Sequence, residues 1–446
     1  GKLMAYPKKF LWGVSTAAAQ VEGGAAEDGR SPSIWDKFAA EKKVMNAGYF
    51  PTACDSYHRF FSRDLANLKA LGVNSYRMSL SWSRVLPEGT GKLNEKGVDY
   101  YKRVFEALLE AGIQPNVTLY HWDLPECLEE KGGWANRGCI EWFGEYAEKM
   151  FRLYSDLVPY FATVNEPIAT YIGYAKGKFA PGHKDEALGN RARHNLLVAH
   201  GRAVEAFRAV ASKSARIGIV IDVWKRYAKY PTEENLAAVR DEDERNWKFY
   251  TDPVLGGVYS DYILSALTRE GTLMDIKEGD LARIHTPIDF FGLNIYDRVL
   301  INKGKKGAKK LLAGGNQQET RGGFDPHVIR DVVRMLREMY SLKLPILITE
   351  NGKGTYVHEC SRGGTIRDKK RVNYFKAVLD EVERANEEGL NIAGYYAWSL
   401  MDNFEWCAGT MIKYGLIHTN FRTFETKWKQ SAYFYRDYIA SHRTDQ

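Results

Sequence analysis

The chain has 446 residues, with 63 Lys and Arg against 56 Asp and Glu, a formal charge of +7. Its 40 Gly, 14 Pro and 27% charged residues are ordinary globular values and exclude collagen-like, low-complexity and disordered classes. No apolar run reaches the roughly 20 residues a membrane span needs, so no membrane partner is expected. A strand over 10–15 opens the chain. Helical spacing of Phe60, Phe61, Leu65, Leu68 and Leu71 then predicts a helix over 59–71, stopped by Gly72 and followed by a strand over 74–79. The order repeats: a helix over 101–111, Gly112, a strand over 114–120; a helix over 145–157, Pro159, a strand over 160–164. Strands over 217–222, 290–296 and 345–349 come next. In the last, Ile346-Leu347-Ile348 is apolar on both faces, as a buried parallel strand should be. A helix over 371–388, Gly389 and a strand over 392–398 complete the series.

Eight strands separated by helical stretches predict an α/β fold, a single (β/α)8 TIM barrel over 1–446 with elaborated βα loops at its C-terminal face. An open doubly wound sheet is the less favoured alternative. No linker or internal repeat divides the chain. Most of the charge excess lies in 298–321, where seven cationic residues oppose Glu319 alone, net +6. This stretch, after the sixth strand, is expected to be a solvated loop and not a nucleic-acid arm. The five cysteines, Cys54, Cys127, Cys139, Cys360 and Cys407, are scattered without C-x-x-C spacing, which favours reduced thiols of a cytoplasmic protein over disulfides or a zinc site. Gly1-Lys2-Leu3 before Met4 reads as a remnant. A removed signal peptide and a homo-oligomer both stay open.

In such a barrel, chemistry sits where strands end and βα loops begin. Those ends supply Gln20, Arg77, His121-Trp122, Asn165-Glu166-Pro167, Asn294 and Tyr296 within the sixth strand, Glu350-Asn351-Gly352, Trp398, and Asp402-Asn403-Phe404-Glu405-Trp406. Two glutamates closing apolar strands, with aromatic walls and amide donors, suit glycosidic-bond hydrolysis, where one carboxyl protonates the leaving oxygen and the other attacks or stabilises the anomeric carbon. Tryptophan faces cover the C–H side of a sugar ring while Gln, Asn, His and Glu meet its hydroxyls. Taken singly, each residue has a plainer reading: a salt-bridged Glu, a structural His121, packed Trp398 and Trp406, Arg77 as partner of a buried acid. Spacing alone leaves a (β/α)8 enzyme of unspecified chemistry.

Phe10-Leu11-Trp12-Gly13 through Gln20-Val21-Glu22-Gly23, Arg77-Met78-Ser79-Leu80-Ser81-Trp82, Tyr120-His121-Trp122-Asp123-Leu124-Pro125, Thr163-Val164-Asn165-Glu166-Pro167, Ile348-Thr349-Glu350-Asn351-Gly352 and Trp398 to Trp406 together resemble glycoside hydrolase family 1, β-glucosidase type, along essentially the whole chain. The resemblance implies Glu166 as acid/base and Glu350 as nucleophile of a retaining double displacement. It further implies Asn165 on the sugar 2-hydroxyl, Gln20, His121, Glu405 and Trp406 on the outer hydroxyls, and Trp398 beneath the ring. Arg77 and Tyr296 would hold Glu350, and Asn294 would support Glu166. Substrates would be small β-glucosides or cello-oligosaccharides, with glucosyl, galactosyl or fucosyl preference open; no metal or organic cofactor is implied.

Three departures stand out: Ala19 before the glutamine, the loosely matching Gly322-Gly323-Phe324-Asp325-Pro326 where the family builds its leaving-group platform, and Cys407 after the second tryptophan. A phospho-β-glycosidase would have Ser at Glu405 and Lys at Ile412, and only Tyr414 matches that pattern. Glu166 argues against a plant-type thioglucosidase, and both glutamates argue against a silent sugar-binding relative. A lyase or aldolase would want a Schiff-base lysine or a metal cluster at strand ends.

Overall fold

The computed structural model describes residues 6–303, 324–356, 359 and 363–445. Most of the basic stretch, the Gly322-Gly323 pair, Cys360 and residues 1–5 lie outside the described residues. Local apolar runs form eight short, almost wholly buried strands: β1 Leu11–Ser15, β2 Ser75–Ser79, β3 Gln114–Tyr120, β4 Tyr160–Asn165, β5 Arg216–Asp222, β6 Phe290–Asn294, β7 Ile346–Asn351 and β8 Ile392–Trp398. Each pairs in parallel with its sequence neighbours, and β1 also pairs with β8, so the sheet closes into a barrel without edges.

Helices between the strands cover the barrel with their apolar sides. They include Glu95–Glu110, Cys139–Tyr154, Glu186–Val210 and Lys369–Glu387. Gly72 and Gly112, at φ +75° and +76°, end their helices in the left-handed conformation that glycine adopts without a Cβ penalty. The predicted helix over 59–71 is broken: Ser56–Arg59, a π-helical turn Phe60–Asp64, then Leu65–Leu71. Asp64 is fully buried there, and Arg63 pairs with it while donating to the carbonyls of Cys54 and Phe424. Turning inward to satisfy that acid widens the helix, and Phe61, expected on the apolar face, is left 37% exposed.

Register places the functional layer. Ser15 pairs with Arg77 and with Trp398, Asp222 with Asn294, and Asn294 with Glu350, so these residues share one level at the carboxyl ends of the strands. Ladder irregularities fall beside Asn165, Glu350 and Asn351, the kind of break that re-aims a side chain. Among the described residues no helix is long and apolar enough to cross a membrane.

Candidate active site

Glu350, the penultimate residue of β7, is buried and gripped from two sides. Arg77 Nη1, from the middle of β2, donates to Oε2 at 2.8 Å. The Tyr296 hydroxyl donates to Oε1 at 2.5 Å. Tyr296 was expected inside the sixth strand, but β6 ends at Asn294 and Tyr296 stands in the loop beyond it. Leaving the ladder is what lets its ring swing across to β7. The ring lies parallel to Trp224 at 5.8 Å and edge-on to Tyr414 at 6.0 Å, and the Tyr374 hydroxyl binds its carbonyl at 2.6 Å. Burial, reinforced by the charges of Glu350 and Glu166, raises the Tyr296 hydroxyl far above its ordinary range, so it remains a proton donor.

Glu166 is the first residue past β4 and turns at φ +46°, an uncommon conformation for a residue with a Cβ. Its N–H is fixed to the Val220 carbonyl at 2.9 Å. Asn294 Nδ2 donates to its Oε2 at 2.7 Å and to Asn165 Oδ1 at 3.0 Å, while the Thr349 hydroxyl donates to Asn294 Oδ1 at 2.7 Å. Burial first, then the charges of Asp222 and Glu350, push the Glu166 carboxyl well above the usual carboxylate range, against the Asn294 bond and Arg77. The two glutamates therefore differ in environment: one faces a cation and a hydroxyl donor, the other is pushed toward its protonated form by burial and like charge.

Asn165 joins the two halves. It accepts from Arg77 Nη2 at 2.7 Å, and its amide lies 3.0 Å from His121 Nε2. That amide donates, which assigns the His121 proton to Nδ1; burial and Arg77 hold the ring neutral. The His121 ring runs nearly parallel to Trp398 and Trp406, at 6.3 and 6.0 Å. Gln20 is fully buried despite the small Ala19 beside it, and its amide donates to Asn403 Oδ1, the Phe404 carbonyl and Glu405 Oε2 at 3.0–3.2 Å. Behind Trp406 stand Trp122 and Trp35, at 4.5 and 4.7 Å, and Trp122 binds the Asn165 carbonyl. Cys407 Sγ donates to the Lys178 carbonyl at 3.1 Å.

Gln20 Oε1, His121 Nδ1 and Trp398 Nε1 are buried and have no hydrogen-bond partner among the described residues. Such groups cost about 1–3 kcal/mol each when unmet, so a cluster of them in one mouth is matched to a ligand carrying many hydroxyls. No three His, Cys, Asp or Glu side chains among the described residues stand together as a metal ligand set. Every site residue named from the sequence thus falls into one connected mouth. Sequence reading passed over two neighbours: Asp222, which closes β5, and Trp224, two residues on. Residues 217–222 were read as a strand ending in Asp, so the rule applied to the other strand ends would have found Asp222.

The sequence model for glycosyl hydrolase family 1 matches residues 3–444. The chain belongs to glycosyl hydrolase family 1. Within that family it is 40% identical to β-glucosidase A of Acetivibrio thermocellus over 442 residues, covering 97% of this chain and 98% of the relative. It is 35% identical to a bifunctional β-D-glucosidase/β-D-fucosidase of Bifidobacterium breve, covering 98% of this chain and 99% of that one. Its structure superposes on a Thermotoga maritima β-glucosidase in complex with glucoimidazole with a TM-score of 0.90 at 37% identity, over 98% of this chain and 99% of the other. Against the family 1 β-glucosidase of Exiguobacterium antarcticum the TM-score is 0.91 at 38% identity, over 98% and 99%.

Proposed function

We propose that the chain, acting as one barrel domain, is a retaining β-glycosidase in which Glu350 is the nucleophile and Glu166 the acid and then the base. It removes terminal non-reducing β-D-glucosyl residues, and by likeness fucosyl or galactosyl ones, from cello-oligosaccharides or aryl glucosides. In the first step a Glu350 oxygen bonds to the anomeric carbon as the glycosidic C–O bond breaks and the Glu166 proton passes to the leaving oxygen. In the second, water attacks the same carbon, gives its proton to Glu166, and the Glu350 ester bond breaks. In this reading Asn165 binds the sugar 2-hydroxyl, Gln20, His121, Glu405 and Trp406 bind the outer hydroxyls, and Trp398 lies beneath the ring.

The observation that carries this reading is the asymmetry of the two glutamates. Arg77 and Tyr296 converge on Glu350, while burial and like charge keep the proton on Glu166. Glu350→Gly should abolish turnover of an activated aryl β-glucoside, and added azide should restore part of it, giving α-glucosyl azide. Unchanged turnover in that variant, or a β-azide product, would show the nucleophile to be misassigned. The described cysteines are free thiols, in keeping with a cytoplasmic enzyme.

A further inference from the structure

A further carboxylate, Asp222, stands close to Glu166 and Glu350. Asp222 closes β5 with only 5% of its surface exposed, and it pairs in register with Asn294, the residue whose amide holds Glu166. Two residues earlier, the Val220 carbonyl takes the Glu166 N–H. A backbone hydrogen bond and a register pairing with the residue that binds Glu166 therefore put Asp222 close to Glu166. Its neighbours are few. Glu166 and Glu350 face it from β4 and β7. Arg226 faces it from the loop beyond β5, with its charge already shared between the Trp224 carbonyl at 2.7 Å and Glu242 at 3.3 Å. From the helix Lys248–Gly256 comes the buried hydroxyl of Tyr250, which accepts from Arg193.

The Asn294 bond that aims Glu166, and the Arg77 cation nearby, both favour the ionised form and would weaken Glu166 as an acid. Burial opposes them first, and the charges of Asp222 and Glu350 add to it. Resting on the acid/base role given to Glu166 above, we propose that Asp222 is the positioning residue that keeps the proton on Glu166 at neutral pH. Burial, with the charge of Glu350 adding to it, raises Asp222 itself to about 7, and two carboxyls this close titrate as a coupled pair. Through the cycle Asp222 neither gains nor loses a proton overall: Glu166 gives one to the leaving oxygen and regains one from water.

The test is the pH profile of kcat/KM in Asp222→Asn, an isosteric change that removes the charge. The alkaline limb should move down by about one pH unit, the size expected for losing a close like charge. Asp222→Glu should return the limb toward its original place. A merely structural residue would lower the whole profile and leave the limb where it was, and that result would overturn the proposal. Glu166→Ala separates the two readings. If it abolishes the alkaline limb while Asp222→Asn does not move it, Asp222 alone is wrongly assigned; if Glu166→Ala keeps the limb, the acid/base reading falls as well. Carboxyl 13C titration of the intact enzyme needs no variant to fold. Linked, biphasic curves for Asp222 and Glu166 are expected, and two independent single-step curves would overturn the coupling.

Discussion

One hydroxyl carries much of the grip on Glu350, the proposed nucleophile. Tyr296 donates to Glu350 Oε1 at 2.5 Å in a site closed to bulk water, where a fixed donor to a developing or fading charge acts most strongly. Tyr296→Phe keeps the ring against Trp224 and Tyr414, so the fold should be undisturbed. Removal of one such donor typically costs 10²–10³ in rate, and kcat/KM on an aryl β-glucoside should fall by roughly that factor with the thermal midpoint nearly unchanged. A loss below tenfold would mean that Arg77 alone orients Glu350. At this scale the sequence displayed the residue types but not their pairing. Arg77 and Glu350 are 273 positions apart, and only barrel closure decides that the cation from β2 meets the acid from β7. Asp222 was legible by the strand-end rule. Trp224 was not, because one tryptophan past a strand end carries no signal until Tyr296 is seen lying flat against it.

Elements tell a different story for strands and helices. All eight strands were legible to within two residues at either end. A barrel strand is apolar on both faces and is cut off sharply by Gly, Pro or a polar mouth residue, so its limits are written locally. Helices are less well marked. Glu186–Val210, the longest, was not singled out, because its buried positions include Asn190, Arg193, His194, Asn195 and His200, which dilute the amphipathic period. The three-residue strands Arg226–Ala228 and Val299–Ile301 are too short to show any period. His200 makes this helix sensitive to acid. It docks on β4 through Thr163 Oγ1 at 2.5 Å, and burial lowers its pKa to about 3 against an ordinary 6.5. A depressed histidine binds its proton in the unfolded chain first. Stability is therefore full above pH 6.5 and is lost progressively as pH falls from 6.5 toward 3. His200→Gln should flatten the slope of unfolding free energy against pH inside that window by about one proton, roughly 1 kcal/mol per pH unit. Equal slopes for both proteins would show that His200 is already charged in the fold.

At the scale of the whole molecule, the barrel fixes one end of the mouth and a buried charge network fixes the other. The loop after β8 carries Asn403, Glu405 and Trp406 to the sugar-facing side, and it begins at Asp402, which has no exposed surface. Lys429, equally buried just before the C-terminal helix Gln430–His442, binds Asp402 Oδ1 at 2.7 Å and also pairs with Glu359. Arg371, at the start of Lys369–Glu387, bonds to Glu359 at 2.7 Å and Asp368 at 2.8 Å, so two helices from late in the chain are tied to one active-site loop. Burial alone would raise Asp402, but Lys429 and His418 outweigh it and hold the carboxyl far below the usual range. Its contribution is present above the unfolded carboxylate range and fades as pH falls through the depressed value. Breaking a buried pair from one side leaves an uncompensated charge inside, which costs about 3–5 kcal/mol. Lys429→Met should lose that much in urea unfolding, and Asp402→Asn combined with it should cost less than the two single losses added together, since the second change removes the stranded charge. Because Gln20 reaches Glu405 and Asn403 through this loop, the milder Asp402→Asn should raise KM for a β-glucoside more than it lowers kcat. A Lys429→Met enzyme destabilised by less than about 1 kcal/mol, or strict additivity in the cycle, would place the stiffness of the mouth in the barrel alone.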